Sequence, residues 1–138
     1  MKNKYLLSLL WVIVSGFGVL MAQEIAIIPQ PAHLIVKNES FKFGKQLKVC
    51  IASYRGDSVT LVFDSFKDDF QKATGIKVTS VHSEAKAGIV LSVNQTLAPE
   101  AYKLDVSPKQ IRIEAARPAG FYYALQTLKQ LISRHVMA

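Results

Sequence analysis

Carboxylates come nearest to forming a reactive pair in this chain. Asp68 and Asp69 are the one adjacent pair among its ten acidic residues. Two carboxyl groups aimed at one bond can act as general acid and general base. Neighbouring residues of an α-helix diverge by about 100°, however, and the surrounding sequence predicts a helix. Asp68 and Asp69 are therefore interpreted as part of a solvated helix face.

Metal and thiol chemistry find equally little support. His33, His82 and His135 are far apart in sequence, and each falls in or near a predicted loop or end. Cys50 is the one cysteine, so it has no internal disulfide partner and no second thiolate at metal-ligand spacing. Because it lies in the strand-like segment Leu47–Ile51, we predict a buried and inert thiol. No catalytic, cofactor-binding or metal-ligating residue is predicted in this chain.

Two triplets match the N-glycosylation pattern, namely Asn38-Glu39-Ser40 and Asn94-Gln95-Thr96. Such triplets arise often by chance, and we predict that both stay unmodified.

Residues 102–132 carry the most regular pattern, which predicts a hairpin followed by a helix. Apolar and polar residues alternate over two short segments, as in strands with one buried face. The apolar members are Tyr102, Leu104 and Val106, then Ile111, Ile113 and Ala115. Pro108 lies between the segments, where a turn favours a fixed φ. Beyond Gly120 the period becomes that of an amphipathic helix. Its apolar stripe consists of Phe121, Ala124, Leu125, Leu128, Leu131 and Ile132.

The middle of the chain predicts a helix between two strands. The helix begins near Asp57 or Ser58, either of which can cap free backbone amides, and ends at Gly75, where a left-handed residue is wanted. Its apolar stripe consists of Val59, Val62, Phe63, Phe66, Phe70 and Ala73. The flanking strands are predicted at Leu47–Ile51 and at residues 76–81.

Further strands and a loop complete the predicted fold. Ile89–Val93 has apolar residues in succession, as expected of a central strand covered on both faces. Shorter strands are predicted at Ile25–Ile28, Leu34–Lys37 and Phe41–Phe43, and a polar loop at His82–Ala87. The fold class is α+β, an α/β-type two-layer arrangement. It has a mixed β-sheet of four to five strands with two α-helices packed on one face.

The first 22 residues have the pattern of a secretory signal peptide. Lys2 and Lys4 precede an uncharged run from Leu6 to Met21, and Ala22 is a small residue suited to cleavage. The run is also nearly the length of a membrane span, which needs about 20 residues. Retention of 1–22 would give a membrane-anchored structural protein. We expect cleavage, which predicts an exported protein, periplasmic or secreted, without stable membrane insertion.

The charge pattern argues against nucleic acid as a partner. The chain has a formal charge of +7, but its basic residues are scattered singly. They include Lys37, Lys42, Lys45, Lys48, Lys67 and Lys72. A nucleic-acid binder would cluster them on one face beside stacking aromatic residues.

Several short motifs follow one another in a characteristic order. They are "Glu-x-Tyr-x-Leu-x-Val" from Glu100, "Ile-x-Ile-x-Ala" from Ile111 and "Ala-Gly-x-x-Tyr-x-x-Gln-Thr-Leu-x-Gln-Leu" from Ala119, with Ile28-Pro29-Gln30-Pro31 near the start. This order resembles the small N-terminal domain of family 20 glycoside hydrolases, the β-N-acetylhexosaminidases. The resemblance runs from about Ile25 to Ile132. It places an accessory domain at 23–133 and the truncated start of a linker at 134–138.

The resemblance implies that catalysis belongs to a (β/α)8 barrel following this domain. There an Asp-Glu pair would work through the substrate's own acetamido group. A barrel takes at least ~200 residues, whereas six residues follow Ile132, and the sequence contains no Asp-Glu dipeptide. We therefore expect a non-catalytic domain, inactive alone, of an exported enzyme acting on terminal N-acetylhexosamine in glycans.

The resemblance also implies that the final helix docks on the barrel. Amphipathic tyrosines suit such an interface. The expected domain-interface residues are Tyr122, Tyr123, Gln126, Thr127 and Gln130.

Two other functions stay open at this point. One is a free-standing secreted carbohydrate-binding or structural domain, although Trp11, the one tryptophan, would leave with the signal peptide. The other is the equivalent domain of another hexosamine-processing glycosidase.

Overall fold

Five strands and two long helices make up most of residues 40–52 and 57–136, which are the residues that the computed structural model describes. The strands are β1 (Gln46–Ala52), β2 (Lys77–Ser80), β3 (Ile89–Val93), β4 (Tyr102–Val106) and β5 (Ile111–Ala115). The helices are α1 (Asp57–Thr74) and α2 (Pro118–Val136). A single 3₁₀ turn covers Glu84–Lys86.

The strands form one mixed sheet in the order β2-β1-β3-β5-β4. β1 pairs in parallel with both β2 and β3, and β3 pairs in parallel with β5. β4 returns antiparallel to β5 as the predicted hairpin. The predicted mixed sheet is thus confirmed, with β3 at its centre.

The main core lies between one face of this sheet and both helices. The sheet supplies alternate residues of each strand, including Val49, Leu91 and Ile113, as period two requires. The helices supply the stripes predicted from the sequence, with Phe63 and Phe121 among the largest buried side chains. Both helices belong to the same cluster, which confirms their predicted position on one face.

The bounds of α1 follow the predicted signals closely. Gly75 has φ 71° and donates its N–H to Gln71 O at 2.9 Å, so it closes the helix in the left-handed conformation. The Thr74 hydroxyl donates to Phe70 O at 2.7 Å. Ala73 was predicted on the apolar stripe but is exposed, because the buried stripe ends with Phe70.

The opposite face of the sheet has a smaller buried cluster at its centre. Val90 and Cys50 lie next to each other on β3 and β1, and Ala87 packs on them. The segment Glu84–Ala87, which covers this cluster, is held by the Gln110 side-chain amide, which donates to Glu84 O at 2.8 Å and to Ala87 O at 3.0 Å. The prediction that β3 is covered on both faces is confirmed, and Cys50 is buried as expected.

Some predicted elements differ from the structure. Phe41–Phe43 is not a strand; its two aromatic rings instead pack at 5.0 Å from each other, and Phe43 lies 5.5 Å from Phe70. The predicted loop at residues 82–87 contains the 3₁₀ turn. The predicted strands Ile25–Ile28 and Leu34–Lys37, and the segment 1–22, lie outside the described residues.

Neither helix in the described part of the chain combines the length and apolarity needed to cross a membrane.

Candidate interface on the helix layer

The carboxylate pair singled out above is split by the helix geometry. Asp69 accepts a hydrogen bond from Lys129 Nζ at 2.6 Å, which ties α1 to α2. This hydrogen bond, more than the Lys129 charge, lowers the pKa of Asp69. Asp68 is exposed on the same helix. The pair therefore has a structural member and a solvated one.

Metal binding finds no site in the part of the chain that the structure covers. Among residues 40–52 and 57–136, no group of three or more His, Cys, Asp or Glu side chains could hold a metal ion. His82 is exposed. Burial, and secondarily the nearby Glu84, raises the pKa of the Cys50 thiol, which keeps it protonated and weakly reactive.

The outer face of α2 carries four of the five predicted interface residues. Tyr122 is 48% exposed, and Tyr123, Gln126 and Gln130 are half-buried. They lie across the helix from the buried stripe that contains Phe121. The rings of Tyr122 and Tyr123 are 5.7 Å apart at 68°, an edge-to-face contact.

Thr127 does not lie on that outer face. It is 3% exposed, and its hydroxyl is 2.7 Å from the Tyr102 hydroxyl on β4. One full helical turn separates it from the partly exposed Tyr123, but its angular position brings it beside buried Ala124 and Leu128. Thr127 therefore packs between α2 and the sheet, so it is not part of the exposed outer face.

Leu61 on α1 is an exposed residue that sequence reasoning missed. It is 68% exposed and lies opposite the buried stripe of its own helix. With Tyr122 it completes the set of large apolar side chains that are exposed in the described residues. The available signal was its residue type, because Leu61 is a leucine at a position on the polar face of α1.

The second face of the sheet differs sharply from the helix layer because it is charged. Lys103 and Asp105 of β4 stand opposite Glu114 and Arg112 of β5, so each charge has an opposite charge as its cross-strand neighbour. Arg112 also contacts Glu84 Oε2 at 3.2 Å.

Asn94 adds a further tie at the end of β3. Its amide donates to Glu114 Oε2 at 2.8 Å, and its oxygen accepts from the Thr96 hydroxyl at 2.6 Å and from the Thr96 N–H at 3.1 Å. The side chain of this potential glycosylation triplet is thus engaged on both sides.

The start of α2 is fixed on the sheet by a close contact at Gly120. A Cβ at this position would lie 2.5 Å from Ala101 O and 2.9 Å from Ala115 Cβ. Only glycine fits without a shift of backbone, which gives a physical reason for the Ala119-Gly120 motif. The contact sets how α2 lies over β4 and β5, and so where Tyr122 points outward.

Comparison with known proteins gives this two-layer arrangement a place among glycoside hydrolases. The family model described as "Glycosyl hydrolase family 20, domain 2" matches residues 24–137, which include every described residue. The chain belongs to glycoside hydrolase family 20, as its domain 2.

Individual relatives agree with this assignment. The chain is 29% identical over 111 residues to a beta-hexosaminidase of Vibrio furnissii, covering 80% of this chain. A GH20 exo-beta-N-acetylglucosaminidase of Vibrio harveyi, solved with N-acetylglucosamine, matches 75% of the chain with a TM-score of 0.65 and 34% identity. A beta-N-acetylhexosaminidase of Bacteroides fragilis matches 75% with a TM-score of 0.61 and 25% identity.

The match covers a small part of each relative. This chain spans 17% of the Vibrio furnissii protein, 15% of the Vibrio harveyi chain and 20% of the Bacteroides fragilis chain. The resemblance noted from the sequence motifs is confirmed: the chain is a small accessory domain of the family 20 type.

Proposed function

We propose that this chain is the non-catalytic N-terminal domain of an exported β-N-acetylhexosaminidase and supports a (β/α)8 catalytic domain of the same protein. The observation that carries the proposal is the family match over residues 24–137, which identifies domain 2 of a family whose relatives are named as hexosaminidases. Within the described residues, the one adjacent carboxylate pair is divided between an ion pair and solvent. This supports a role that is structural rather than chemical.

The proposed mechanism is mechanical support for the active site. A catalytic group must be held within fractions of an ångström of its productive position, and packed neighbouring layers supply that rigidity. The helix layer of this domain is fixed internally by the core, by Gly120 and by the Lys129–Asp69 ion pair. Its outer face, with Tyr122, Tyr123, Gln126 and Gln130, is the proposed contact with the catalytic domain.

The proposed substrates are glycans that end in N-acetylhexosamine, bound by the catalytic domain. The named relatives include an exo-beta-N-acetylglucosaminidase solved with N-acetylglucosamine. In the proposed protein, residues 1–22 direct export to the periplasm or the medium and are removed. The linker to the catalytic domain is proposed to begin within residues 134–138, where α2 ends at Val136.

The proposal is tested by comparing the 138-residue chain with the protein encoded by the complete reading frame. A chromogenic N-acetylglucosaminide and its N-acetylgalactosaminide counterpart serve as substrates. We expect release of the chromophore by the complete protein and none above buffer by the chain alone. Turnover by the chain alone would contradict a non-catalytic domain, and a complete protein inactive on both substrates would contradict the hexosaminidase assignment.

Export is tested separately by N-terminal sequencing of the protein recovered outside the cytoplasm. A first residue near Gln23 is expected, and an intact Met1 in the membrane fraction would support the anchor instead.

A further inference from the structure

We propose that a lysine-rich surface at the amino ends of the parallel strands binds an anionic polysaccharide that contains N-acetylhexosamine. This surface, the lysine end, consists of exposed residues from several segments, namely Lys42, Lys45, Lys48, Lys72, Lys77, Lys86 and Lys109. The proposal rests on the proposed function for its choice of ligand. It goes further by giving this domain a site that holds the polymer without cleaving it.

The topology brings these lysines together, although they are scattered singly in the sequence. β1, β2, β3 and β5 are joined by parallel pairings, so their amino ends lie at one end of the sheet. Lys45 directly precedes β1, and Lys77, the first residue of β2, is the cross-strand neighbour of Gln46. Lys48 follows on β1 between two core residues, so its side chain lies on the face away from the main core.

The connecting segments bring further lysines to the same end. Lys72 lies in the last turn of α1, which leads into β2. Lys86 belongs to the 3₁₀ turn that precedes β3, and Lys109 to the turn between β4 and β5. Each of these segments ends where a parallel strand begins, which places its lysine beside the amino ends of the strands.

The aromatic rings on either side of Lys42 place it at this end as well. A Cβ added to Gly88, directly before β3, would lie 3.0 Å from the ring of Phe41. The ring of Phe43 lies 5.5 Å from that of Phe70, near the end of α1. Both phenylalanines pack against the core, and the exposed Lys42 stands between them.

Nearby carboxylates leave most of this positive charge uncompensated. The ion pairs found within residues 40–52 and 57–136 join Glu84 to Arg112 and Asp69 to Lys129. Asp105 stands opposite Arg112 across the β4–β5 pairing. None of these pairs includes a member of the lysine end, so the lysine charges add to one another at one end of the domain.

The other end of the sheet has mixed charge. There Lys103 is the cross-strand neighbour of Glu114. Glu100 lies shortly before β4 and Arg117 shortly after β5, so both belong to the same end. Positive and negative side chains alternate over that end, and a polyanion would meet repulsion as well as attraction there. The lysine end is therefore the part of the described domain that suits an anionic ligand.

A polymer with carboxylate or sulfate groups fits this surface by its charge. Exposed lysines bind polyanions with release of condensed counterions, and a repeating charge engages several lysines at once. Neutral sugars and single-stranded bases instead need exposed aromatic rings on which to stack. Phe41 and Phe43, the rings at this end, pack against the core. Charged sugar units are thus favoured over neutral ones and over nucleic acid.

The position of the lysine end favours a polysaccharide over an anionic membrane. α1 and α2 each follow a strand of the parallel set, so both helices run back to the amino ends of the strands. α2 ends at Val136, and in the proposed protein the catalytic domain follows it. A polymer held at the lysine end would therefore lie beside the domain that removes N-acetylhexosamine from it.

The test compares two charge-matched double variants of the complete parent protein. Lys48→Gln/Lys77→Gln removes two charges from the lysine end, and Lys103→Gln/Arg117→Gln removes two from the opposite end. The probe is fluorescent chondroitin sulfate, a sulfated polymer of N-acetylgalactosamine and glucuronate. It is titrated with each protein at about 0.05 M and about 0.15 M salt, because salt screens exposed charges. Urea denaturation of each variant checks that it stays folded.

We expect the Kd for chondroitin sulfate to rise at least about fivefold in Lys48→Gln/Lys77→Gln at the lower salt concentration. The dependence of log Kd on log salt should also become shallower, since fewer counterions are released. Lys103→Gln/Arg117→Gln should stay within about twofold of the parent. Equal weakening in both variants would mean that only net charge matters and would overturn the proposal.

Competing ligands identify the class of polymer. Duplex DNA and vesicles containing phosphatidylglycerol are titrated under the same conditions and should bind more weakly than chondroitin sulfate. Tighter lysine-dependent binding of either one would assign the surface to that ligand and overturn the proposal. Displacement of chondroitin sulfate by an uncharged N-acetylglucosamine oligomer would also overturn it. Binding that appears only when residues 23–39 are deleted would show that this segment covers the surface, with the same consequence.

Hydrolysis of the chromogenic N-acetylglucosaminide and N-acetylgalactosaminide by the parent protein is recorded alongside. An active parent that does not bind chondroitin sulfate would overturn this inference and leave the proposed function standing. An inactive parent that still shows lysine-dependent binding would overturn the proposed function and support the lysine end as a polysaccharide site.

Discussion

Thr127 and Tyr102 connect α2 to the edge strand β4 through their hydroxyl groups, which are 2.7 Å apart. Position 127 lies between the buried stripe and the outer face of the helix, and it belongs to the interior because a hydroxyl partner is present on β4. A sequence motif can contain such a residue without showing whether its contact lies within the domain or across an interface. The structure assigns the contact to the domain itself.

Replacing Thr127 with valine should therefore destabilise the domain. Thr127→Val keeps the side-chain shape but removes the partner of the Tyr102 hydroxyl, and we expect a loss of about 1 kcal/mol in the free energy of unfolding. Urea denaturation of the 138-residue chain measures it. Tyr102→Phe should cost a similar amount, and the double variant should cost less than the sum of the two single changes. Additive losses would contradict the hydroxyl pair.

Gly120 gives a second prediction: replacing this glycine with alanine should destabilise the domain, although the same change usually stabilises a helix. Alanine normally stabilises a helix interior by about 0.5–1 kcal/mol relative to glycine. At position 120 its Cβ would meet the backbone oxygen of Ala101 at 2.5 Å, so Gly120→Ala should destabilise by about 1–3 kcal/mol. Gly44→Ala is the control, because its Cβ would have 4.0 Å to the nearest atom. If the Gly120→Ala variant is as stable as the parent chain or more stable, the backbone around Ala101 moves away from the added Cβ without cost.

At the scale of elements, the contact between α1 and α2 combines the apolar core with one ion pair at its rim. Asp69 and Lys129 are 60 residues apart in sequence, and each falls on what reads as the polar side of its own helix. The pairing fixes how the helices align, which in turn fixes the relative positions of Leu61 and Tyr122. Its electrostatic part is exposed to solvent and screened by salt.

The ion pair predicts a pH dependence with a definite direction. Because pairing lowers the folded-state pKa of Asp69 below its unfolded value, its contribution is present above the ordinary carboxyl pKa of about 3.9 and is lost as the pH falls through the lower folded value. Asp69→Asn should therefore lower the urea midpoint at pH 7 and have a smaller effect at the lowest pH at which the chain stays folded.

Asp68→Asn is the matched control for this experiment, since the neighbouring carboxyl is exposed on the same helix. If the urea midpoints of Asp69→Asn and the parent chain differ by the same amount at every pH and salt concentration, the stabilisation by Asp69 is not electrostatic.

The elements that could be predicted from sequence are those with local signals. The apolar stripe and Gly75 predicted the bounds of α1 to within a residue, and period-two alternation predicted the β4–β5 hairpin. The segment Phe41–Phe43 was misread as a strand because its apolar spacing reflects two rings packing near Phe70 and not a ladder of hydrogen bonds. Leu61, Thr127 and the Asp69–Lys129 pair required the tertiary structure, because each depends on what lies opposite in space.

At the scale of the whole molecule, the described domain has two unlike faces. One is a helix layer with Leu61 and Tyr122 exposed on it, and the other is a sheet surface of alternating opposite charges. A carbohydrate-binding module would be expected to display a platform of aromatic rings. The exposed Tyr122 instead meets Tyr123 edge to face, at 68°, and so offers no flat surface shared by both rings.

The central position of β3 has a consequence for how this domain is made. β1 is synthesised early, yet both strands that flank it come later in the chain, β2 after α1 and β3 after the 3₁₀ turn. Among the described strands, one side of β1 therefore waits for β2 and the other for β3, which is complete only after Val93, and β3 itself waits for β5 to emerge. Such late closure makes the nascent chain slow to fold and prone to aggregate.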